Sequence, residues 1–326
     1  MRNLARFCPD KFTLSLAGTV LLASVLPASG SIAFILEKIT SAVIVLLFFL
    51  HGSKLSRPAI LAGIGHWRLH LLVTATTFIF FPVLGWLLKP FLEHLLPSEL
   101  VLGVLFLCTL PATVQSAIAL TGLARGNIPA AVCSASGSTL IGIVLTPLWV
   151  GILLTHSSSS EAPLEAAGKI AVQLLLPFIL GHLLRPWTAG WLQNFGSKLK
   201  IVDQGSILLV VYAAFSGAVV AGLWQQVPLA SILTLFAVCA FILACSMTWC
   251  VWSSRRFGFS KADEAAILFC GAQKSLVSGI PMAKVLFSAA VVGPMVLPVM
   301  IFHPMQLMVS AILAAHYNRK ADNPAP

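Results

Sequence analysis

Pro111-Ala112-Thr113-Val114-Gln115-Ser116-Ala117 and Gly271-Ala272-Gln273-Lys274-Ser275, the latter followed by Gly279-Ile280-Pro281, are two places where a long apolar run is interrupted by proline or glycine together with polar side chains. Backbone groups freed where a helix breaks cannot face lipid, because each unsatisfied group costs several kcal/mol there. Such breaks must line a protein interior or a water-filled cavity. Two opposed breaks bring together helix N-termini, which favour anions, and free carbonyls, which favour cations, and this pairing points to the midplane site of a transporter. A pair of ordinary proline kinks, satisfied by neighbouring helices, is the plainer alternative.

The runs around these breaks belong to a membrane chain. Of the 326 residues 58% are hydrophobic and 9% charged, with mean hydropathy +0.96, whereas a soluble domain carries roughly 25% charged residues. Windows of about 19 residues predict ten spans: Phe12–Ala28, Ser31–Leu50, Leu69–Leu88, Leu100–Leu123, Asn127–Leu154, Leu164–Leu184, Ile201–Leu223, Leu229–Trp252, Ala262–Phe287 and Ala289–His316. Arg2, Arg6 and Ala28-Ser29-Gly30 could also read as a signal peptide. The apolar run up to Ala28 is long enough to span, however, and Asp10 and Lys11 read as a helix boundary.

Charge orients the spans. With both termini cytoplasmic, Lys89, Lys169 and Lys284 fall in outer loops and Lys38 and Lys274 within spans, which leaves fifteen of the 20 Lys and Arg for inner segments. That asymmetry obeys the positive-inside rule and supports an even number of spans. The net charge of +10 is scattered between apolar runs, so no basic face for nucleic acid forms. Seven cysteines, mostly inside spans and without a C-x-x-C pair, read as structural thiols rather than disulfides or metal ligands. No H-E-x-x-H, no G-x-S-x-G and no carboxylate pair within the spans suggests an enzyme.

The chain reads as a single transmembrane domain over residues 1–326. The loop Ser157–Ser160 with Pro163 separates two halves, residues 11–155 and 163–317, of five spans each. Five is odd, so the second half enters the membrane inverted relative to the first. The interrupted spans, four and nine, then occupy corresponding places in the two halves. Gln115 and Gln273 sit at matching positions of the breaks, each offering donors and an acceptor to a ligand or to free backbone. Ser116 and Ser275 accompany them. In span five Ser134, Ser136, Ser138 and Thr139 set hydroxyls beside Gly137, either to line a ligand site or to let helices approach closely.

Lys274 is the most informative single residue, since a lysine at a helix centre costs about 2.5–3.5 kcal/mol on insertion scales. Its ammonium is expected to replace a bound cation or to titrate during transport. Glu37, Lys38 and Asp203 read as interfacial and Lys284 as a snorkelling lysine. Asp263 and Glu264 read as helix-start carboxylates, and His303 as either a core histidine or a proton relay.

These motifs, with Leu123-Ala124-Arg125-Gly126-Asn127, Asp203-Gln204, Phe269–Leu276 and Gly279–Met282, resemble the SBF-like branch of the bile acid:sodium symporter superfamily, which includes an animal and fungal subgroup linked to calcium handling. The resemblance implies an all-α membrane protein of ten transmembrane helices in two inverted five-helix repeats. Helices four and nine would be broken and crossing, and a core of helices three, four, five, eight, nine and ten would move against a panel of one, two, six and seven. In the bile acid branch an acidic residue and a glutamine four positions apart in helix nine bind sodium, with polar residues from helices four and five. Here the acidic position is Phe269, the helix-four pair becomes Ala117 and Ile118, the helix-five hydroxyl positions become Ala131 and Ala135, and Lys274 follows the glutamine. The sodium ligands of the family are not retained.

The expectation is a secondary active transporter in the plasma (inner) membrane, moving an organic anion or amphipathic metabolite by coupling to sodium or protons. It needs no cofactor beyond a possible sodium ion. A cation/proton antiporter is the first alternative, although Ser134–Thr139 lacks the membrane aspartate that such proteins use. A non-transporting regulator of calcium handling is the second.

Overall fold

The structure is a computed structural model that describes residues 11–54, 65–154, 174–194, 196–220, 222 and 228–322. Arg2, Arg6, Arg57, Lys169, the loop Ser157–Ser160 with Pro163 and the first part of the sixth expected span lie outside the described residues, and the side chain of Asp203 is likewise not described.

All regular structure among the described residues is helical, one of the two ways, with the closed β-barrel, in which a chain satisfies its own backbone where no water is at hand. The helices are α1 (Lys11–Val25), α2 (Gly30–Lys54), α3 (Trp67–Leu95), α4 (Ser98–Thr109), α5 (Gln115–Leu123), α6 (Ile128–Leu154), α7 (Leu174–Leu183), α8 (Arg185–Asn194), α9 (Gly196–Val220), α10 (Leu229–Arg256), α11 (Lys261–Gly271), α12 (Leu276–Leu286) and α13 (Ala289–Asp322). Among the described residues six segments are long and apolar enough to cross a membrane: Gly30–Ser53, Trp67–Leu95, Ile128–Leu154, Leu229–Arg256, Lys261–Leu286 and Val291–Arg319. Shorter apolar helices fall at Leu14–Val25, Ser98–Thr109, Leu174–Leu183 and Gln204–Val220. Leu21, Ile32, Leu71, Ile152 and Leu233 are among the many large apolar side chains left exposed. In water this coat would drive association; in a bilayer it is the lipid-facing surface. Lys261–Leu286 is the opposite case, buried along nearly its whole length.

The chain divides into two contact units. One gathers α1, α2, α7, α8, α9 and the stretch Ile280–Val296. Here α9 packs along α1 and α2, and Tyr212 donates from its hydroxyl to the Leu26 carbonyl at 2.7 Å. Gly52 and Gly181 let α2 and α7 cross closely, since a Cβ at either would run into the backbone carbonyl of Phe178 or Phe49. Ser53 Oγ donates to the Gly181 carbonyl at 3.0 Å across the same crossing. Lys284 corrects one expectation: it does not snorkel, because its Nζ donates to the buried Thr40 Oγ1 at 2.5 Å.

The other unit gathers α3 to α6, α10, the chain from α11 to Gly279, and Leu297 onward. A π turn at Thr76–Phe80 interrupts α3. Trp249 of α10 stacks on Phe80 with ring centroids 5.0 Å apart and donates Nε1 to Thr76 Oγ1 at 3.1 Å. Asn127 caps α6 by accepting from the Ala130 N–H, and its amide donates to Asp263 Oδ1 at 2.8 Å. Asp263 joins Ser260 in a reciprocal cap at the start of α11, as a helix-start carboxylate should. Glu264 also lies in the first turn of α11, as expected, and does more there. Its side chain is 1% exposed and accepts from both Arg255 Nε and Nη2, from Lys261 and from the Tyr317 hydroxyl, so it ties α10, α11 and α13 together.

Candidate functional site

The fourth expected span is two helices, α4 and α5, separated at Leu110–Val114, and the ninth is α11 and α12, separated at Ala272–Ser275. Proline starts the first break: Pro111 has no N–H to continue the ladder. The last carbonyls of a helix have no intrahelical donor, so each must find another partner, and every one from Cys108 to Pro111 does. Thr146 Oγ1 donates to the Thr109 carbonyl at 2.8 Å. The Ser275 N–H reaches the Pro111 carbonyl at 2.9 Å, which joins the two breaks directly. On the donor side, the Ala112 N–H goes to Ser138 Oγ at 2.9 Å. Gly279 allows the approach, because a Cβ there would lie 2.6 Å from Leu110 Cδ1.

Lys274 takes the remaining carbonyls. Its Nζ donates to Leu110 at 2.7 Å, to Thr77 at 3.0 Å and to Cys108 at 3.3 Å, and the side chain is 0% exposed. The Thr77 carbonyl is free for a local reason. The Phe81 N–H bonds to Thr76 in the π turn, and the next residue, Pro82, has no N–H to offer. The three donors of one ammonium are thus matched by three orphaned carbonyls, two of them at the negative end of α4. The Phe81 ring completes the enclosure, its centroid 3.9 Å from Nζ, a distance at which the ring face attracts a cation.

The backbone of Lys274 is held separately. Gln306 of α13 accepts from the Lys274 N–H and donates to the Lys274 carbonyl, each at 2.8 Å, and its amide nitrogen also meets His303 Nδ1 at 3.0 Å. Gln273 is fully buried, accepting from Ser116 Oγ and donating to Ser310 Oγ, both at 3.1 Å. Ser275 caps α12, its Oγ accepting from the Ser278 N–H at 3.1 Å.

The structure therefore brings together Ser116, Ser138, Gln273, Lys274 and Ser275. It places Gln115 otherwise: the residue opens α5 with its side chain exposed, so the two glutamines do not share one environment. Ser134 is buried against His70 Nδ1 at 2.6 Å, and Ser136 is half-buried on roughly the opposite face of α6 from Ser138, two residues away. Phe269 and Ala117 are fully buried and Ile118 is partly so, an apolar set with no side-chain oxygen for a cation. Sequence reasoning missed Gln306 and Ser310. A signal was present, since residues four apart share a helix face and these two are polar within an apolar span.

A multi-pass helical membrane protein with two broken helices joined at their breaks is the class these features define. The SBF-like CPA transporter family model matches residues 10–319, and the chain belongs to that family. An uncharacterized protein of Pseudomonas aeruginosa is 58% identical over 320 residues, covering 98% of this chain and 96% of its own length. A protein of Escherichia coli K12 named "Putative symporter YfeH" is 52% identical over 313 residues, covering 96% and 94%. The rat protein named sodium/bile acid cotransporter 7 is 30% identical over 271 residues, covering 82% and 79%.

Proposed function

We propose that the protein is a secondary active transporter of the inner membrane that carries an organic anion or amphipathic metabolite and couples its movement to a proton or sodium gradient. The observation that carries this reading is the Lys274 ammonium, held by three carbonyls at the crossing of two broken helices. A membrane chain keeps so costly a group where a cation is needed. The symporter and cotransporter names of the relatives support it. The apolar helices, taken with the broken spans, support ten crossings in two inverted repeats, and the bias of Lys and Arg between alternate connections supports cytoplasmic termini. The grouping of helices one, two, six and seven in one contact unit and of three, four, five and eight in the other supports a panel of one, two, six and seven and a core of three, four, five, eight, nine and ten. Ile280–Val296, the end of helix nine and the start of helix ten, departs from it by grouping with the panel.

Lys274 supplies internally the charge that a bound ion would supply to these carbonyls, and Phe269, Ala117 and Ile118 offer no replacement sodium ligands. The proton is for that reason the favoured coupling ion. Gln273, Ser116, Ser138 and Ser275 hold the crossing in shape around it. The test is uptake of labelled organic anions, bile acids among them, into proteoliposomes under sodium or proton gradients imposed one at a time. Gradient-driven uptake of a solute upholds the carrier. Proton-for-cation exchange without a solute would replace it with an antiporter, and no flux under either gradient would remove transport altogether.

A further inference from the structure

The crossing leaves the charged residues of the first contact unit without a task. A cavity of about 370 Å³ lies in that unit, lined by Phe34, Glu37, Ser216, Lys284, Phe287 and Ser288 among small apolar residues. Three features mark it as built for a ligand. Lys284 is fixed by Thr40, which takes one of the three ammonium donors. Glu37 lines the same cavity, and the two charges form no direct ion pair among the described residues. Ser216 is 1% exposed and its Oγ has no hydrogen-bond partner among the described residues, although buried hydroxyls are ordinarily paired.

A cation and an anion facing one cavity without closing on each other match a ligand that carries both charges. The volume is at the lower end of the roughly 300–1,000 Å³ of small-molecule sites, which suits a body of amino-acid size and not a steroid. Phe34 and Phe287 supply apolar wall for that body. We propose that this cavity binds a small zwitterion with an aliphatic body, its carboxylate on Lys284 and Ser216 and its ammonium on Glu37. Describing that zwitterion as cargo rests on the carrier reading; its binding does not.

The experiment uses the purified full chain in detergent and titrates it with leucine, 4-methylpentanoate and 3-methylbutylamine, three molecules of one shape that differ in which charges they carry. Leucine should bind about tenfold or more tighter than either analogue, as a lost charge-assisted hydrogen bond implies. Glu37→Gln should remove the preference of leucine over the carboxylate, and Lys284→Gln the preference over the amine. Ser216→Val keeps both charges, and should weaken leucine even if Lys284→Gln fails to fold. Equal binding of all three molecules, binding of none, or a preference that survives the substitutions would overturn the proposal. Leucine binding without gradient-driven uptake of any solute would refute the carrier and leave the site standing. Uptake of an organic anion without leucine binding would refute the site alone.

Discussion

Replacing Lys274 by methionine keeps the length and apolar stem of the side chain and deletes only the charged end. In the structure that end satisfies the carbonyls of Thr77, Cys108 and Leu110. Each buried carbonyl left unpaired costs about 1–3 kcal/mol, so three at a central value cost about 6 kcal/mol. Removing a lysine from mid-membrane recovers about 3 kcal/mol, and loss of the Phe81 contact adds about 1 kcal/mol. Lys274→Met should therefore destabilise the protein by about 4 kcal/mol. A charge that merely endured burial would behave oppositely, and its removal would stabilise. The assay is reversible unfolding in mixed micelles, with proteoliposome uptake measured on the surviving folded protein, where transport should be lost. A Phe81→Leu background should reduce the effect, because the two residues are coupled through contact. Wild-type or higher stability of Lys274→Met would refute the cage as a structural cation site.

Gln306→Leu removes both partners of the Lys274 backbone and should cost about 2–4 kcal/mol, read as a lowered melting temperature; an unchanged melting temperature would show that the bridge is dispensable. Gln273→Ala should also lower the melting temperature, since its amide joins Ser116 to Ser310, while the exposed Gln115→Ala should not; equal effects would contradict their separate placement. Glu264→Gln should cost about 1–2 kcal/mol by weakening ties to Arg255 and Lys261, two residues whose own side chains stay solvated at 60% and 73% exposure. A loss well above that range would mean that Glu264 carries more than these contacts. Single cysteines at Ser98 and Phe257, both exposed, should react with an impermeant reagent from opposite sides of the membrane, and labelling from one side would overturn the assigned topology.

The class of protein, the six longest apolar spans and the position of both breaks were legible in the sequence. Hydropathy, charge bias and the missing N–H of proline act locally, so they survive without knowledge of neighbours. Lys274 stood out for the same reason: the cost of a lysine in an apolar run is a property of that run. What surrounds Lys274 was decided by tertiary structure alone. Its three carbonyls come from α3 and from the end of α4, and the Thr77 carbonyl is free only because a π turn and Pro82 coincide there. Successive helix residues point about 100° apart, so one position separates Ser116, which meets Gln273, from Gln115, which is exposed. Similarly, Gln306 reads in sequence as a lone polar residue in an apolar helix and becomes the clamp on Lys274 only when α13 is packed against the second break. Local chemistry determines where a helix must break, and only the packed fold determines which groups fill the valences the break exposes.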